Sequence, residues 1–476
     1  MDDYCGELTA KLGIRVSTDP QICRAYDHDL GEMPSVLLKL FRRTPKAVVL
    51  PISTTDVSTA LAIAHRYNVP VTPRAQASSG YGGAMPTRGG IVVDVSRMRA
   101  ILSVDVEGQS CTVQPGVVWT DLEEELQKKG LALRICPTSG PSSTVGGLFA
   151  MGGMGIGSVR YGTILDVVTE IEVVDPDGRV HTVSGRELEL YAFSQGSLGI
   201  ITSLRLLCRK NVPLTKVALH LPDPSNLPKL LLSLKDLNPY SLSLLSASYC
   251  AMQSAVHRKD PVISQGYLML AVFEGEIEEE KLEGVLARAQ AERLSDEIAA
   301  EEWEMRFYPM RIKRNGPALL VGEYCIDARH FAAVAETITK KLSKDVVGFE
   351  AFVNWDMKLS VLIYIQDSSE DLLSLFRMGK AMVPLHVASS YGGTVYATGL
   401  WFNSRTASVL GPARMRALRN KKCALDPRNL MNSGKCCGGF SGFWPFALLS
   451  WGIWIGTKLM APISSLLRAK PRRIHD

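Results

Sequence analysis

Three stretches of very small residues, each next to a predicted strand, constrain the fold of this chain most strongly. They are residues 74–83, 137–157 and 196–199. Small side chains let backbone N–H groups approach a ligand closely, and successive N–H groups form concave sites for anions. Any one stretch is as readily explained by turns in a β-rich region. Three together favour loops that converge on one phosphate-bearing ligand.

The sequence around the first stretch predicts alternating strands and helices. Residues 46–95 give a strand, a helix, a strand, a loop and a strand, because short apolar runs flank a segment with helical apolar spacing. Residues 101–118 alternate as two paired strands do. Residues 119–130 predict a helix with Thr120 as its N-cap and Gly130 as its C-cap.

The character of the sequence changes near Pro213. Before it, strands are expected over residues 167–207, with a hairpin turn at residues 175–178. After it, strands and helices alternate without glycine clusters to about residue 385, which predicts a separate α+β domain inserted in the chain. The predicted strands of this domain are residues 216–221, 267–274, 319–326, 348–354 and 361–365, and its predicted helices are residues 227–234, 278–291 and 330–342.

Composition excludes several classes of protein. Hydrophobic residues make up 46% and charged residues 21% of the 476 positions, which supplies a core and excludes a disordered or collagen-like chain. The net charge of +5 is spread along the chain, so the clustered basic footprint of a nucleic-acid-binding protein is missing. Neither GxGxxG after a strand nor GxxxxGKS/T occurs. We expect no disulfide framework, since the ten cysteines include no CxxC pair, and no secretory signal, since residues 1–13 lack an apolar run.

A series of short motifs carries a resemblance to a known family. In chain order they are PKAVVLP (45–51), PRAQASSGYGG (73–83), VDVSRM (93–98), VQPGV (113–117), TVGG (144–147), RYG (160–162), GSLGIIT (196–202) and LDPRNLMNSGK (425–435). This series resembles FAD-linked oxidases of the vanillyl-alcohol oxidase or p-cresol methylhydroxylase (PCMH) type. Within them it is most similar to the branch of glycolate oxidase flavin subunits and D-lactate dehydrogenases. The resemblance covers roughly residues 5–435.

The resemblance implies an α+β fold with a divided cofactor domain. Residues 1–212 would form a two-subdomain FAD-binding domain of the PCMH type. Residues 213–385 would form the inserted α+β cap domain for the substrate. Residues 386–438 would return to the flavin, and residues 439–476 would form an apolar C-terminal tail.

The resemblance also implies how FAD is held. The loop 74–80 would wrap the diphosphate, and Asn432 and Lys435 would return toward the flavin ring. Relatives that attach FAD covalently through this loop use a histidine, and because Ser78 stands at that place we expect non-covalent FAD. The complete predicted FAD-binding set is Arg74, Ala75, Gln76, Ala77, Ser78, Ser79, Gly80, Pro137, Thr138, Ser139, Ser142, Thr144, Gly146, Gly147, Gly152, Gly155, Gly157, Ile200, Ile201, Asn432 and Lys435.

The metal signature of the hydroxy-acid branch is not preserved. Its pattern is His-x-x-Asp-Gly-Asn-Leu-His, followed later by Glu-His-Gly. Here Val353, Ser360 and Thr398 stand in place of the histidines. Imidazole is the ligand that such a site needs, so we predict no zinc or manganese.

Two residues are candidates for catalysis. Arg306 belongs to a Trp-x-x-Arg stretch that resembles the one whose arginine binds a substrate carboxylate in the family, and a planar guanidinium suits that role. A surface arginine is the alternative. Tyr396, together with His386, is a candidate general base by position only.

The tail carries a separate signal. The 22 residues between Lys435 and Lys458 are uncharged and rich in aromatic and aliphatic side chains, and a basic cluster follows at residues 468–473. We expect residues 440–473 to lie in the interface on the cytoplasmic side of a membrane. A single C-terminal span and an apolar tail docked on a partner subunit are the alternatives.

The motifs and the tail together give the functional hypothesis. It is an FAD-dependent oxidoreductase that transfers a hydride from a small organic substrate, a 2-hydroxy-acid-like molecule or an alcohol, to flavin N5. Electrons would pass to a quinone or an iron–sulfur redox partner, and no nucleic-acid partner is expected. One alternative is a non-catalytic flavin electron-transfer subunit of a membrane redox complex. Another is a metal-independent flavoenzyme that acts on a lipid-like alcohol or ether.

Overall fold

The chain divides into two compact units. A computed structural model describes residues 3–31, 43–307, 309–316, 318–367, 374–436, 455–456 and 458. The first unit contains Met1–Met154, Thr163–Asn211 and, of the described residues after that, those from 397 to 436. The second unit contains Gly155–Gly162 and Val212–Tyr396.

Eighteen strands occur in the described residues. They are β1 (Val16–Ser17), β2 (Ala47–Val49), β3 (Val71–Arg74), β4 (Ile91–Asp94), β5 (Ile101–Asp105), β6 (Ser110–Val113), β7 (Leu131–Leu133), β8 (Val168–Val174), β9 (Val180–Ser184), β10 (Ile200–Lys210), β11 (Leu214–Leu221), β12 (Ser241–Ser246), β13 (Tyr267–Glu274), β14 (Glu292–Arg293), β15 (Ala318–Asp327), β16 (Val346–Val353), β17 (Lys358–Asp367) and β18 (Thr394–Val395).

Sixteen α-helices occur in the same residues. They are α1 (Asp3–Leu12), α2 (Pro20–Ala25), α3 (Thr54–Arg66), α4 (Trp119–Gln127), α5 (Val145–Met151), α6 (Ser158–Tyr161), α7 (Ile164–Val167), α8 (Leu188–Tyr191), α9 (Leu227–Lys235), α10 (Ala247–His257), α11 (Glu279–Ala289), α12 (Asp296–Glu304), α13 (Ala328–Lys341), α14 (Ser374–Ser390), α15 (Thr406–Leu410) and α16 (Pro412–Leu425). Short 3₁₀ helices lie at Gly13–Arg15, Val95–Arg97, Gly185–Glu187, Pro224–Asn226, Pro309–Asn315 and Asn403–Arg405.

The first unit contains two sheets. A four-stranded sheet has the order β1-β2-β4-β3, with β2, β4 and β3 parallel. Parallel strands are buried on both faces, which explains the unbroken apolar runs Ala47–Val49 and Ile91–Val93. The second sheet has the order β5-β6-β10-β8-β9, and β7 also pairs with β10. The right-handed strand–helix–strand unit places the loop after β3 at the carboxyl edge of the parallel sheet.

Helix α3 shows why the first unit folds as its sequence predicts. Ser53 caps it, with its hydroxyl accepting a hydrogen bond from the Asp56 amide. Val57, Leu61 and Ala64 recur at helical spacing and are buried in the core of the four-stranded sheet.

The second unit is built on one sheet. Its eight strands have the order β14-β11-β13-β12-β16-β17-β15-β18, and every neighbouring pair is antiparallel. Strand β13 is buried along almost its whole length, which shows that both faces of the central sheet are covered. Helix α13 buries Phe331, Val334 and Ile338 on one face, and Asp327 caps its first turn.

Most predicted elements are confirmed, and one pair of caps was wrong. The elements over residues 46–113, the hairpin at residues 175–178 and the eight elements predicted for the inserted domain are all present, with shifted ends. Val118, not Thr120, is the N-cap of α4, because the Trp119 amide already donates to the Ser143 carbonyl. The helix ends at Gln127, and Gly130, with a φ of +74°, lies in the turn beyond the C-cap.

The sequence analysis missed several elements, among them helices α12, α14 and α16 and the pair β12 and α10. Strand β12 and helix α10 follow one another over residues 241–257. The segment predicted as a membrane-associating tail, residues 440–473, lies outside the described residues except for positions 455, 456 and 458. Among the residues that the structure describes, no helix is both long enough and apolar enough to cross a bilayer.

Candidate functional site

The loop after β3 presents unused backbone donors. Within the described part of the chain, the N–H groups of residues 76–80 donate no hydrogen bond. The loop is held at both ends, because Ala77 O accepts from the Leu30 amide at 3.3 Å and the Gly82 amide donates to Asp29 Oδ2 at 2.6 Å. Five consecutive free amides, with Ala77 at a φ of +50°, are the arrangement in which backbone dipoles bind an anion.

A second loop of small residues meets the first. Gly146 packs so tightly on Pro115 that a Cβ on it would lie 2.4 Å from Pro115 Cβ. A Cβ built on Gly147 would lie 3.9 Å from Ala75 Cβ. The two loops, residues 74–80 and 144–147, therefore border one space, which we call the cradle.

Other predicted FAD-binding residues are distributed around this region and beyond it. The hydroxyl of Thr144 caps α5 by accepting from the Gly147 amide at 3.3 Å. Gly152, with a φ of +70°, leaves room only for the Phe193 ring, which lies 2.2 Å from where a Cβ would be. Ile200 and Ile201 are buried in β10 and pair with β8.

Pro137, Thr138, Ser139 and Ser142 form the turn before the second loop of the cradle. The Ser142 amide donates to the Ser139 carbonyl at 2.8 Å, which closes the turn. Gly155 and Gly157 belong to the second unit, where the Gly155 amide donates to the Ser158 hydroxyl at 2.9 Å.

Arg74 places a positive charge at the start of the cradle. Its guanidinium donates to the His28 carbonyl at 2.6 Å and lies 5.1 Å above the Tyr26 ring. Burial lowers the pKa of Arg74, and the nearby Asp94 carboxylate opposes this. A guanidinium fixed by stacking and by one hydrogen bond is suited to hold an anion at the start of the loop.

The C-terminal segment is fixed to the first unit by a buried ion pair. Lys422 Nζ lies 2.5 Å from Asp426 Oδ2 and also donates to the carbonyls of Ser197 and Met431, at 2.8 and 2.7 Å. The Asp426 carboxylate in turn accepts from the amides of Leu430 and Met431, each at 2.8 Å. This network sets the path of residues 430–436.

Asn432 and Lys435 lie at the end of that path. The Asn432 side chain donates to the carbonyls of Gly83, at 3.2 Å, and Gln195. Lys435 Nζ donates to Asn432 Oδ1 at 2.6 Å and to the Met85 carbonyl. Burial lowers the pKa of Lys435 to about 7, and the Asp29 carboxylate opposes this. Both side chains are thus hydrogen-bonded to the backbone of residues 83 and 85, just after the loop 74–80.

Two polar residues of this region were not found from the sequence. Asp29 is buried, accepts from the Gly31 and Gly82 amides, and has a pKa that burial raises. Gln195 Nε2 donates to Thr398 Oγ1 at 2.7 Å, while its Oε1 is buried and has no hydrogen-bond partner among the described residues. Gln195 precedes the third small-residue stretch, and that adjacency is the one signal that could have pointed to it.

The residues present fit an FAD. An arginine and amides without a partner among the described residues suit the diphosphate, and the small residues of the cradle let it approach the backbone closely. The open acceptor of Gln195 suits a ring that carries N–H donors. When bound, FAD would supply a two-electron acceptor for a hydride.

The second unit contains a small pocket with polar walls. Gln253, Glu302, Arg306 and Glu350 line it together with serines of β12 and aromatic and aliphatic side chains. The Arg306 guanidinium lies 4.3 Å from the centre of the Trp303 ring and 4.4 Å from that of Phe307. The predicted substrate-binding arginine therefore forms part of a pocket wall rather than an isolated surface position.

Two buried carboxyl groups share this pocket. Glu302 and Glu350 are each 5% exposed, and burial raises the pKa of each to about 7. The charge of Glu302 raises the pKa of Glu350 further, while Arg311 and the Tyr364 hydroxyl, which donates to Glu350 Oε2 at 2.7 Å, act in the opposite direction. Perturbed carboxyls in a pocket are characteristic of functional sites.

The remaining predicted positions are divided between the two units. Tyr396 ends the second unit and is half-buried, and Val353 and Ser360 are buried in β16 and β17. Thr398 belongs to the first unit, where it accepts from Gln195. Across the described ranges, no group of three or more His, Cys, Asp and Glu side chains is arranged to hold a metal ion.

We expect Gly147→Leu to remove most of the bound FAD, because the new side chain would extend into the space that Gly147 shares with Ala75. The measurement is the ratio of flavin to protein absorbance after purification, with circular dichroism to show that the fold is intact. Gly6→Leu is the matched control, since Gly6 is exposed on α1 and has no atom within 4 Å of its Cβ position. Full flavin content in Gly147→Leu would contradict the placement of the cradle.

We expect the free energy of unfolding to fall as pH rises from about 4.5 to about 7. Over that range the folded protein holds protons on Glu302 and Glu350 that the unfolded chain releases, since their pKa values rise from 4.5 to about 7 on folding. Glu302→Gln should reduce this fall, and Glu304→Gln, an exposed residue of the same helix that does not contribute to the pKa shift of Glu302, should not. Thermal unfolding across the pH range measures it, and identical profiles for Glu302→Gln and the unmodified protein would contradict it.

Comparison with protein families supports the division of the chain. Residues 45–184 match the FAD binding domain family, and residues 217–436 match the C-terminal domain of FAD linked oxidases. The glycolate oxidase subunit GlcD of Escherichia coli K12 is 25% identical over 84% of this chain and 85% of its own length. The mitochondrial D-lactate dehydrogenase (cytochrome) of Arabidopsis thaliana is 25% identical over 82% of this chain and 73% of its own length.

Solved structures show the same fold. A p-cresol methylhydroxylase structure with substrate bound has a TM-score of 0.76 and 17% identity, covering 92% of this chain and 96% of that one. An alkyldihydroxyacetonephosphate synthase has a TM-score of 0.74 and 18% identity, covering 91% and 84%. The two matched regions together span most of the sequence. The chain therefore belongs to the FAD-linked oxidases, as an FAD-dependent oxidoreductase similar to glycolate oxidase subunits and D-lactate dehydrogenases.

Proposed function

We propose that this protein is a dehydrogenase of small, anionic, hydroxyl-bearing substrates of the 2-hydroxy-acid type. The observation that carries the proposal is Arg306 on the wall of the pocket in the second unit. Two of the relatives are named for lactate and glycolate, and both of those substrates are 2-hydroxy acids.

The setting of Arg306 suits it to bind a carboxylate. Its guanidinium is stacked against Trp303 and Phe307 and donates to the Trp303 carbonyl at 2.5 Å. Stacking fixes the plane of the guanidinium, whose N–H donors form a planar fork. A carboxylate that pairs with such a fork is held in one orientation, which is what transfer from a single C–H bond requires.

We also propose an electron acceptor and a location from the sequence. Because no nicotinamide fingerprint is present, electrons would leave to a quinone or an iron–sulfur redox partner. Residues 440–473, with their apolar run and basic end, would hold the protein at the cytoplasmic side of a membrane.

We expect acid precipitation to release FAD into the supernatant. The basis is Ser78, which stands where covalently flavinylated relatives have a histidine and which offers no comparable nucleophile. Absorbance of the supernatant and the pellet measures the distribution. Yellow colour retained in the pellet would show a covalent link and contradict the proposal.

We expect hydroxy acids to bleach the flavin anaerobically and Arg306→Met to weaken that reaction for anions only. Loss of a charge-assisted hydrogen-bonded pair should raise the half-saturating concentration about 10–100-fold, with little change for uncharged alcohols. Arg329→Met is the control, because this exposed arginine pairs with Asp327 and lies outside the pocket lining.

Three outcomes of that experiment would contradict the proposal or its assignment of Arg306. If no donor bleaches the flavin but a partner protein reduces it, the chain is an electron-transfer subunit. If lipid-like alcohols or ethers are the only donors, the substrate class is wrong. Equal affinity for anions in Arg306→Met and the unmodified protein would remove the arginine from the site.

A further inference from the structure

We propose that residues 97–107, which we call the β5 edge, form a two-fold interface that binds a second copy of this chain. The two edges run antiparallel to one another in this contact. The inference goes beyond the proposed function, since it concerns the assembly of the protein and not its chemistry. It starts from an open sheet edge whose charges are complementary to themselves when the direction of the chain is reversed.

Strand β5 is the last strand of the second sheet in the first unit. It pairs with β6 on one side, and among the described residues no strand pairs with its other side. The hairpin pairing extends back to Ala100, whose carbonyl accepts from the Gln114 amide at 2.9 Å. An edge of this kind offers backbone groups and side chains to a partner chain.

The middle of the β5 edge is apolar and exposed. Leu102 is 53% exposed and Val106 is 50% exposed. The register of β5 against β6 shifts between Ile101 and Ser103, so Leu102 is the extra residue of a bulge and has no partner position on β6. Two large aliphatic side chains on one short edge gain by burial against a second apolar surface.

The charges of the β5 edge complement one another across a two-fold axis. Arg97 and Arg99 precede the apolar middle, Asp105 and Glu107 lie at its other end, and all four are exposed. In an antiparallel contact centred on Leu102, position 97 of one copy faces position 107 of the other, and position 99 faces position 105. Both pairs join an arginine to a carboxylate. Symmetry repeats each pair on the other side of the axis.

This sorting of charge by sign favours a second copy over other occupants. Charges on an edge strand commonly prevent pairing, but here only one direction of pairing is prevented. A parallel contact between two copies would place like charges opposite each other, which is unfavourable. A partner with a uniformly acidic or basic surface would complement one end of the β5 edge and repel the other.

Local hydrogen bonds hold the inner pair of charges in place. Asp105 Oδ1 accepts from the Gly108 amide at 2.9 Å, and Arg99 Nε donates to the Ser96 carbonyl at 2.6 Å. Side chains that are already ordered lose less conformational entropy when two copies meet. Because exposed ion pairs are individually weak, the apolar middle provides most of the affinity and the charges set the direction.

The first experiment is sedimentation velocity of the full-length, FAD-loaded protein over a range of concentrations, in mild detergent. We expect a monomer–dimer equilibrium. Leu102→Asp should raise the dissociation constant at least about tenfold, because it removes an apolar contact and brings two carboxylates together at the axis. Leu232→Asp is the matched control, since Leu232 is a leucine of α9 in the second unit and is 63% exposed. Circular dichroism and flavin content show that each variant is folded.

The second experiment tests the pairing of the charges. Arg97 and Glu107 make no hydrogen bond or ion pair with the part of the chain that the structure describes, so substitutions there break no contact of the fold. Arg97→Glu alone and Glu107→Arg alone place like charges opposite each other, and each should raise the dissociation constant about 3–10-fold. In a mixture of the two variants every pair again joins opposite charges. With a fluorescent label on the N-terminus of one variant, the mixture should therefore dimerise as tightly as the unmodified protein.

Three results would overturn the proposal. One is a protein that sediments as a monomer at every concentration. Another is a dimer that Leu102→Asp leaves intact, which would show that the copies associate elsewhere, for example through residues 440–473. The third is a mixture of Arg97→Glu and Glu107→Arg that dimerises no better than either variant alone.

Discussion

The free N–H groups of residues 76–80 are the constraint on which the first unit depends. Among the described residues, the amides of positions 76–80 donate no hydrogen bond, so neighbouring segments must help to hold the shape of this loop. Gly31 and Gly80 approach so closely that a Cβ on Gly31 would lie 2.5 Å from the Gly80 carbonyl oxygen. The Gly82 amide, just beyond the loop, donates to the Asp29 carboxylate. The donors are thus held in position before any ligand arrives, which reduces the ordering that binding requires.

The C-terminal segment gives the first unit its second fixed point. Breaking a buried ion pair such as Lys422–Asp426 costs about 3–5 kcal/mol, because the remaining charge stays buried without its partner. That pair determines where Asn432 and Lys435 lie, and Asn432 then connects the loops that contain Gly83 and Gln195. Asn432 therefore joins segments that are far apart in sequence, and it does so by hydrogen bonds to their backbone carbonyls. These contacts do not require particular side chains at positions 83 and 195.

This distinction explains what could be predicted from the sequence. The cradle was predictable because its signal is local: small residues next to strands at 74–80 and 144–147. Strand β12 and helix α10 were missed because their serine-rich and weakly amphipathic sequences lack the usual periodicity. The wrong cap at Thr120 has a different cause, since the Ser143 carbonyl, from a distant turn, satisfies the Trp119 amide and starts the helix earlier. Asp29, Gln195 and Glu302 could not be found, because each matters through burial and the presence or absence of a partner, which only the folded chain defines.

The second unit shows how polar chemistry can be relocated within one architecture. Val353 and Ser360, at which the sequence resemblance led us to expect no metal site, are both buried in adjacent antiparallel strands. Glu350 lies on the same strand as Val353, three residues earlier, and its Oε2 accepts from a tyrosine of the neighbouring strand. The sheet thus carries a titratable group close to these two positions, and α12 adds Glu302. Near neutral pH a carboxyl with a raised pKa exists in both protonation states, as an imidazole does. Glu302 and Glu350 therefore titrate in the pH range in which histidine does.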